Sequence, residues 1–167
     1  MIEAGKNILR FSFFILLQVT IIRHLDAGIY FNPFLFIGAI LMLPLRANKT
    51  LVLIIAFATG LIIDMFYNTM GMNAAACTFM AFCRPWALKV YAPAGDYNAD
   101  ASATVNSMGV RWMISYASTL IFIHHFILFY LEAFSFHDFF STFLKIILSG
   151  ITTLILFLIT QSLFFRN

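Results

Sequence analysis

The sequence predicts an all-α integral membrane protein, a bundle of six helices that cross the bilayer with both termini on the same side. Composition is the first observation, because 62% of the 167 residues are hydrophobic and 10% are charged, whereas soluble domains average about 45–50% and about 25%. The second observation is that four uncharged stretches are each 19 or 20 residues long, which suits a hydrocarbon core of about 30 Å. These stretches are residues 27–45, 65–83, 112–131 and 146–165.

Two shorter apolar runs, residues 11–22 and 50–63, complete the six predicted spans within one membrane domain, residues 1–167. The predicted spans are about 7–25, 31–45, 50–67, 73–92, 109–131 and 142–165. Pro33 suits the first turn of the second span because that position needs no N–H donor. Gly71 and Asn73 interrupt the long apolar run between the third and fourth spans.

The basic residues predict the orientation. If the N-terminus is cytoplasmic, eight of the ten Lys and Arg residues lie inside and only Arg23 and Lys145 lie outside. This asymmetry follows the positive-inside rule and places both termini in the cytoplasm. We expect Arg84 and Trp86, at a predicted cytoplasmic helix end, to anchor that end at the level of the headgroups. Residues 93–107 are small and polar, and we expect a solvent-exposed linker there.

Several functional classes are disfavoured by the sequence. The basic residues are dispersed, so no patch is present to bind nucleic acid. Cys77 and Cys83 are six residues apart on one predicted helix, on different faces and separated by about 9 Å of rise, which excludes a disulfide between them. The sequence lacks the zinc motif His-Glu-x-x-His, the serine motif Gly-x-Ser-x-Gly and a Gly-rich phosphate loop. We therefore expect no enzyme, no cofactor, no metal site and no catalytic residue.

Asp64 is the most informative position, since it is an acid well inside the third predicted span. Burying it costs about 2.5–3.5 kcal/mol unless it finds a partner or a wet cavity. Gly60 precedes it by one helical turn, and Gly71 and Asn73 follow at the predicted break. Asp64 either caps the fourth helix by accepting backbone N–H bonds, or binds a partner or relays protons. Capping predicts that Asp64→Asn is tolerated, whereas a role for the charge predicts that it is not.

His124 and His125 are adjacent in the fifth predicted span and are weaker candidates. Adjacent helical residues point about 100° apart, so at most one of them can face Asp64. A pair between histidine and carboxylate, or a proton relay, is one interpretation. The other is that one ring lies near the headgroups and the other is hydrogen-bonded within the bundle.

The segment Gly60-Leu-Ile-Ile-Asp64, followed seven residues later by Gly71, resembles the third span of the rod shape-determining protein MreD family. The chain length, the six spans, the cytoplasmic termini and the near absence of loops also match that family. One departure is Met70, where the family often has Pro or Leu. The resemblance implies a fold similar to the membrane substrate-binding subunits of energy-coupling-factor transporters.

The resemblance also implies a function, that of a non-enzymatic scaffold of the cell-elongation machinery in the bacterial cytoplasmic (inner) membrane. Such a scaffold binds MreC and supports rod shape and side-wall peptidoglycan synthesis. It acts with actin-like MreB and with the wall-building glycosyltransferase and transpeptidase, and it lies in membrane lipid. The alternative is a substrate-binding membrane subunit of a small-molecule, vitamin-type transporter, because the similar fold fits both.

Overall fold

A computed structural model describes residues 2–22, 30–97, 102–133 and 139–164. Within these ranges the chain forms seven α-helices and no β-strand, so the prediction of an all-helical protein is confirmed for this part. The helices are α1 (Ile2–Thr20), α2 (Ile37–Leu41), α3 (Lys49–Tyr67), α4 (Met72–Val90), α5 (Val105–Met108), α6 (Val110–Ala133) and α7 (Phe139–Phe164). Arg23, at the predicted outer end of the first span, lies outside the described residues.

Three of the described helices, α3, α6 and α7, are long and apolar enough to cross a membrane. The apolar part of α1, Ile8–Thr20, is shorter. Helix α4 has 19 residues, but it includes Asn73, Arg84 and Pro85 among small side chains, and it packs against both α3 and α6. The chain is thus built for a membrane, while the count of six spans stays a prediction.

The second predicted span, residues 31–45, is not a continuous helix. Only Ile37–Leu41 is helical, and the residues on either side form turns and extended chain. We call residues 30–46 the inserted segment, because its middle part is almost fully buried among the other helices. At Gly38 an added Cβ would lie 2.8 Å from the Phe157 ring and 2.9 Å from the Phe14 ring. The prediction was wrong because tertiary contacts bind the backbone groups that a helix would have used internally, as described below.

The predicted linker at residues 93–107 is only partly exposed where the structure describes it, at residues 93–97 and 102–107, and residues 98–101 lie outside the described residues. Tyr97 is buried, and its hydroxyl donates a hydrogen bond of 2.7 Å to the Leu88 carbonyl. Burial raises the pKa of the Tyr97 phenol above its ordinary value. Gln161 of α7 binds the other end of this stretch, since its Oε1 accepts from the Val105 N–H at 2.9 Å. The expectation of a plain solvent-exposed linker was therefore wrong for these positions, because hydrogen bonds to the Leu88 carbonyl and the Gln161 side chain hold them against α4 and α7.

Candidate functional site

Asp64 lies at the junction of α3 and α4 and is 4% exposed. Its Oδ1 accepts hydrogen bonds from the Asn73 backbone N–H at 3.0 Å, from the Asn73 side-chain amide at 3.1 Å and from the Thr69 hydroxyl. Its Oδ2 accepts from the Ala74 N–H at 3.0 Å. These contacts have the form that the capping interpretation describes, because the carboxylate binds free N–H groups in the first turn of α4.

Two glycines explain why an acid from the previous helix performs this capping. Gly71 is the N-cap residue of α4, and its φ of 81° favours a residue without Cβ, so the N-cap has no side chain that could accept these bonds. At Gly60, an added Cβ would lie 2.4 Å from the Ala74 Cα. The missing side chain lets the first turn of α4 approach α3 closely enough to reach Asp64. The structure thus brings Gly60, Asp64, Gly71 and Asn73 together in one helix junction.

His124 does not hydrogen-bond to Asp64. Its ring is fully buried, and Nε2 lies 3.5 Å from the Cys77 Sγ. Its Nδ1 has no hydrogen-bond partner among the described residues. Phe34 and Phe36 of the inserted segment pack on the ring, with centroid distances of 6.0 and 5.8 Å. The predicted contact between a histidine and the Asp64 carboxylate is therefore not formed by this residue.

His125 faces α7 and is also fully buried. Its Nδ1 lies 2.9 Å from the Ile121 carbonyl, which can only accept, so Nδ1 carries the proton. Its Nε2 lies 3.2 Å from the Thr153 hydroxyl, whose one proton can go either to Nε2 or to the Ser149 carbonyl at 2.8 Å. That hydroxyl in turn accepts from the Phe34 N–H at 3.1 Å. His125 thus belongs to the contacts that position the inserted segment.

Gln18 of α1 binds the same segment from another direction and is fully buried. Its Oε1 accepts from the N–H groups of Leu35 at 2.7 Å and Phe36 at 3.3 Å. Its Nε2 donates to the Pro33 carbonyl at 3.2 Å and to the Tyr67 hydroxyl at 2.7 Å. Non-helical backbone is tolerated at membrane depth only where its polar groups are bound within the protein, and this one side chain binds three of them.

Arg84 binds the far end of the inserted segment, and its side chain lies inside the protein and not on its surface. It is 3% exposed, and its Nη2 donates to the carbonyls of Leu43 at 2.6 Å and Pro44 at 3.2 Å. Its Nε donates to the Tyr116 hydroxyl at 2.8 Å. The expectation of an exposed anchor was wrong for Arg84, because carbonyls left free by the broken helix draw the guanidinium inward. Trp86 is 57% exposed, as an interface residue would be.

Sequence reasoning missed the polar side chains of α7 that complete these contacts. Ser149 accepts from the Asn32 N–H at 3.0 Å and donates to the Tyr30 carbonyl at 3.0 Å, and Thr153 lies one turn further along the same face. Their spacing of four residues in a largely apolar helix was the available signal. That spacing marks a polar face but does not identify its partner, which is more than 110 residues away in sequence.

Among the cavities that border the helices of the described part, two are relevant to function. One, the α6–α7 groove, has a volume of about 130 Å³ and an almost wholly apolar surface. Its lining includes Ser118, Ile121, Phe122, Gly150, Ile151 and Leu154. The other, the Arg84 cavity, has a volume of about 60 Å³ and lies between the start of α3 and the end of α4. Neither cavity is lined by Asp64, His124 or His125.

Comparisons with known proteins leave the family open. No family model matches the chain, and neither a curated protein nor a solved structure is similar to it. Among the described residues, no group of three or more His, Cys, Asp or Glu side chains is placed to hold a metal ion.

Proposed function

We propose that the chain is a non-enzymatic membrane scaffold of the MreD type, which docks the single transmembrane helix of MreC in the bacterial cytoplasmic membrane. In this proposal the chain crosses the membrane six times, with both termini inside. Its role is to connect MreC with the enzymes of side-wall peptidoglycan synthesis and, indirectly, with MreB.

The α6–α7 groove is the observation that carries this proposal. Phe122 and Ile151 on its sides are 40% and 51% exposed, so the groove opens towards the surroundings of the bundle. Gly150 leaves space in its floor, because an added Cβ would meet only the Ile121 Cγ2, at 3.9 Å. Transmembrane helices associate through close packing on small residues, since lipid provides no hydrophobic driving force. An apolar groove with a glycine floor suits a partner helix.

The alternative, a substrate-binding subunit of a vitamin-type transporter, has less support. Sites for small molecules have volumes of about 300–1,000 Å³ and a few convergent polar groups. The α6–α7 groove is smaller, at about 130 Å³, and mostly apolar. Gln18, Asp64 and Thr153 direct their side chains to the protein's own backbone, which favours a rigid scaffold over a binding pocket.

Co-purification tests the proposal. The tagged full-length chain is co-expressed with the MreC of the same organism, and the MreC retained after membrane solubilisation is measured. We expect the unchanged chain to retain MreC and Gly150→Phe to retain at least about ten-fold less, since a blocked anchor position costs more than 1.4 kcal/mol. The matched control is Ile155→Phe, which adds the same ring on α7 at a 51% exposed position outside the groove lining.

Two results would contradict the proposal at different levels. If the unchanged chain retains no MreC, the proposed function is wrong. If Gly150→Phe retains as much MreC as Ile155→Phe, the function stands but the groove is not the docking surface. Complementation of rod shape in a deletion strain, scored at equal membrane levels of each variant, provides the cellular measurement.

A further inference from the structure

The Arg84 cavity has a marked charge imbalance. Arg84 and Lys49 both line it, and the rest of its lining is apolar, including Val52, Ala81 and Leu88. Its lining residues, all drawn from the described part of the chain, include no Asp or Glu. A cavity of about 60 Å³ with two cationic groups and no acid is electrostatically suited to an anion.

The Arg84 guanidinium supports this inference independently. Its hydrogen bonds run from Nε and Nη2 to two carbonyls and a phenol, which are all neutral groups. Among the side chains that the structure describes, no carboxylate lies within ion-pair distance of it. Charged side chains are almost never fully buried without an opposite charge. Arg84 is 3% exposed and lines the cavity with its counter-charge missing.

The position of the cavity indicates where the anion comes from. Lys49 is the first residue of α3, and Trp86, near the end of α4, is 57% exposed. Helix ends with exposed Trp and Lys mark the headgroup level of a membrane. Leu51 and Phe82, the sequence neighbours of the lining residues Val52 and Ala81, are 53% and 70% exposed and give α3 and α4 exposed apolar side chains.

We propose that the Arg84 cavity binds the phosphodiester of an anionic membrane lipid, whose acyl chains lie along the exposed faces of α3 and α4. The Arg84 Nη1 donates to no group of the described protein, because the hydrogen bonds of this side chain run from Nε and Nη2. Nη1 can therefore donate to a phosphate oxygen, and the Lys49 ammonium adds a point charge. One water molecule needs a cavity volume of about 10–15 Å³. The Arg84 cavity, at about 60 Å³, therefore admits a group of phosphate size. A free phosphate would use the two cations but not the apolar surface beside them.

Native mass spectrometry of the full-length chain in nanodiscs tests this site. The discs contain equal amounts of phosphatidylglycerol and phosphatidylcholine, and the ratio of the two lipids retained per released chain is measured. We expect the chain to retain more phosphatidylglycerol than phosphatidylcholine. The ratio should be about five-fold smaller in Lys49→Gln, since losing one hydrogen bond to the phosphate has about that effect. The matched control is Lys89→Gln, an exposed lysine of the last turn of α4 that does not line the cavity.

A second variant distinguishes lipid binding in the cavity from general attraction of lipid by surface charge. Ala47→Leu fills the cavity without removing a charge or an Arg84 contact, and we expect the same loss of phosphatidylglycerol preference with unchanged helicity. An unchanged chain without lipid preference would overturn the proposal, and so would an equal loss in Lys89→Gln. Inorganic phosphate alone, added to delipidated protein in detergent, should leave the unfolding temperature unchanged. Stabilisation by phosphate that Ala47→Leu abolishes would overturn the assignment to a lipid.

Discussion

Asp64 gives the sharpest test of the helix junction, because its carboxylate accepts four hydrogen bonds. In Asp64→Asn, one oxygen becomes an NH₂ group. If the remaining oxygen keeps the three bonds from Thr69 and Asn73, the NH₂ faces the Ala74 N–H, and that buried donor is left unpaired. We expect a loss of about 1–3 kcal/mol in the free energy of unfolding. The amide is therefore not fully tolerated, in contrast to the simple capping prediction.

Asp64→Leu removes all four acceptor contacts. The N–H groups of Asn73 and Ala74 then both lose their partner inside the protein, and we expect a loss of about 2–6 kcal/mol. The free energy of unfolding is measured by denaturant titration in mixed micelles, followed by circular dichroism. Asp96→Asn is the matched control, because its carboxylate is 70% exposed and 3.4 Å from Arg46; we expect a change within about 0.5 kcal/mol.

Two results would refute this account of Asp64. Asp64→Leu with the stability of the unchanged chain would mean that the carboxylate does not hold the junction. Asp64→Asn as unstable as Asp64→Leu would mean that the negative charge matters and not the positions of the acceptors. Combination with Asn73→Ala adds an internal check, because residues in one network give non-additive losses.

Two further predictions concern backbone approach and the inserted segment. Gly60→Ala should lower the free energy of unfolding by about 1–3 kcal/mol, because its Cβ would lie 2.4 Å from the backbone of α4. The control is Gly150→Ala, whose Cβ has its nearest neighbour at 3.9 Å. Its free energy of unfolding should stay within about 0.5 kcal/mol of that of the unchanged chain. Thr153→Val should cost about 1–3 kcal/mol by leaving a buried N–H of the inserted segment unpaired, whereas Thr152→Val loses only a bond to its own helix. Denaturant titration measures both pairs, and equal losses within either pair would contradict the reasoning.

The α3–α4 junction was predictable because its signals are local. An acid one turn after Gly60, followed by Gly71 and Asn73, places a helix end, a helix start and an acceptor within fourteen residues of chain. The end of α3 at Tyr67 and the start of α4 at Met72 lie on either side of the predicted break. The local sequence does not show whether the Asp64 carboxylate caps the next helix or binds a partner, since both roles need an acidic side chain at this position.

The inserted segment and Arg84 were not predictable, because their partners are distant in the sequence. Residues 31–45 have the apolar composition of a span, yet their backbone groups are bound by side chains from α1, α4, α6 and α7. Arg84 was read as an interface residue from its position near a helix end, whereas the carbonyls that it binds lie about 40 residues away.

Composition and charge spacing alone establish an all-helical chain suited to a membrane, since apolar stretches of span length have few other stable environments. Which stretch stays helical depends on where the backbone N–H and C=O groups find partners. Inside a bilayer water cannot supply them, so a segment can leave the helix only where Gln18, Arg84, Ser149 and Thr153 meet it. That meeting depends on the packing of helices far apart in the chain, and no local pattern encodes it.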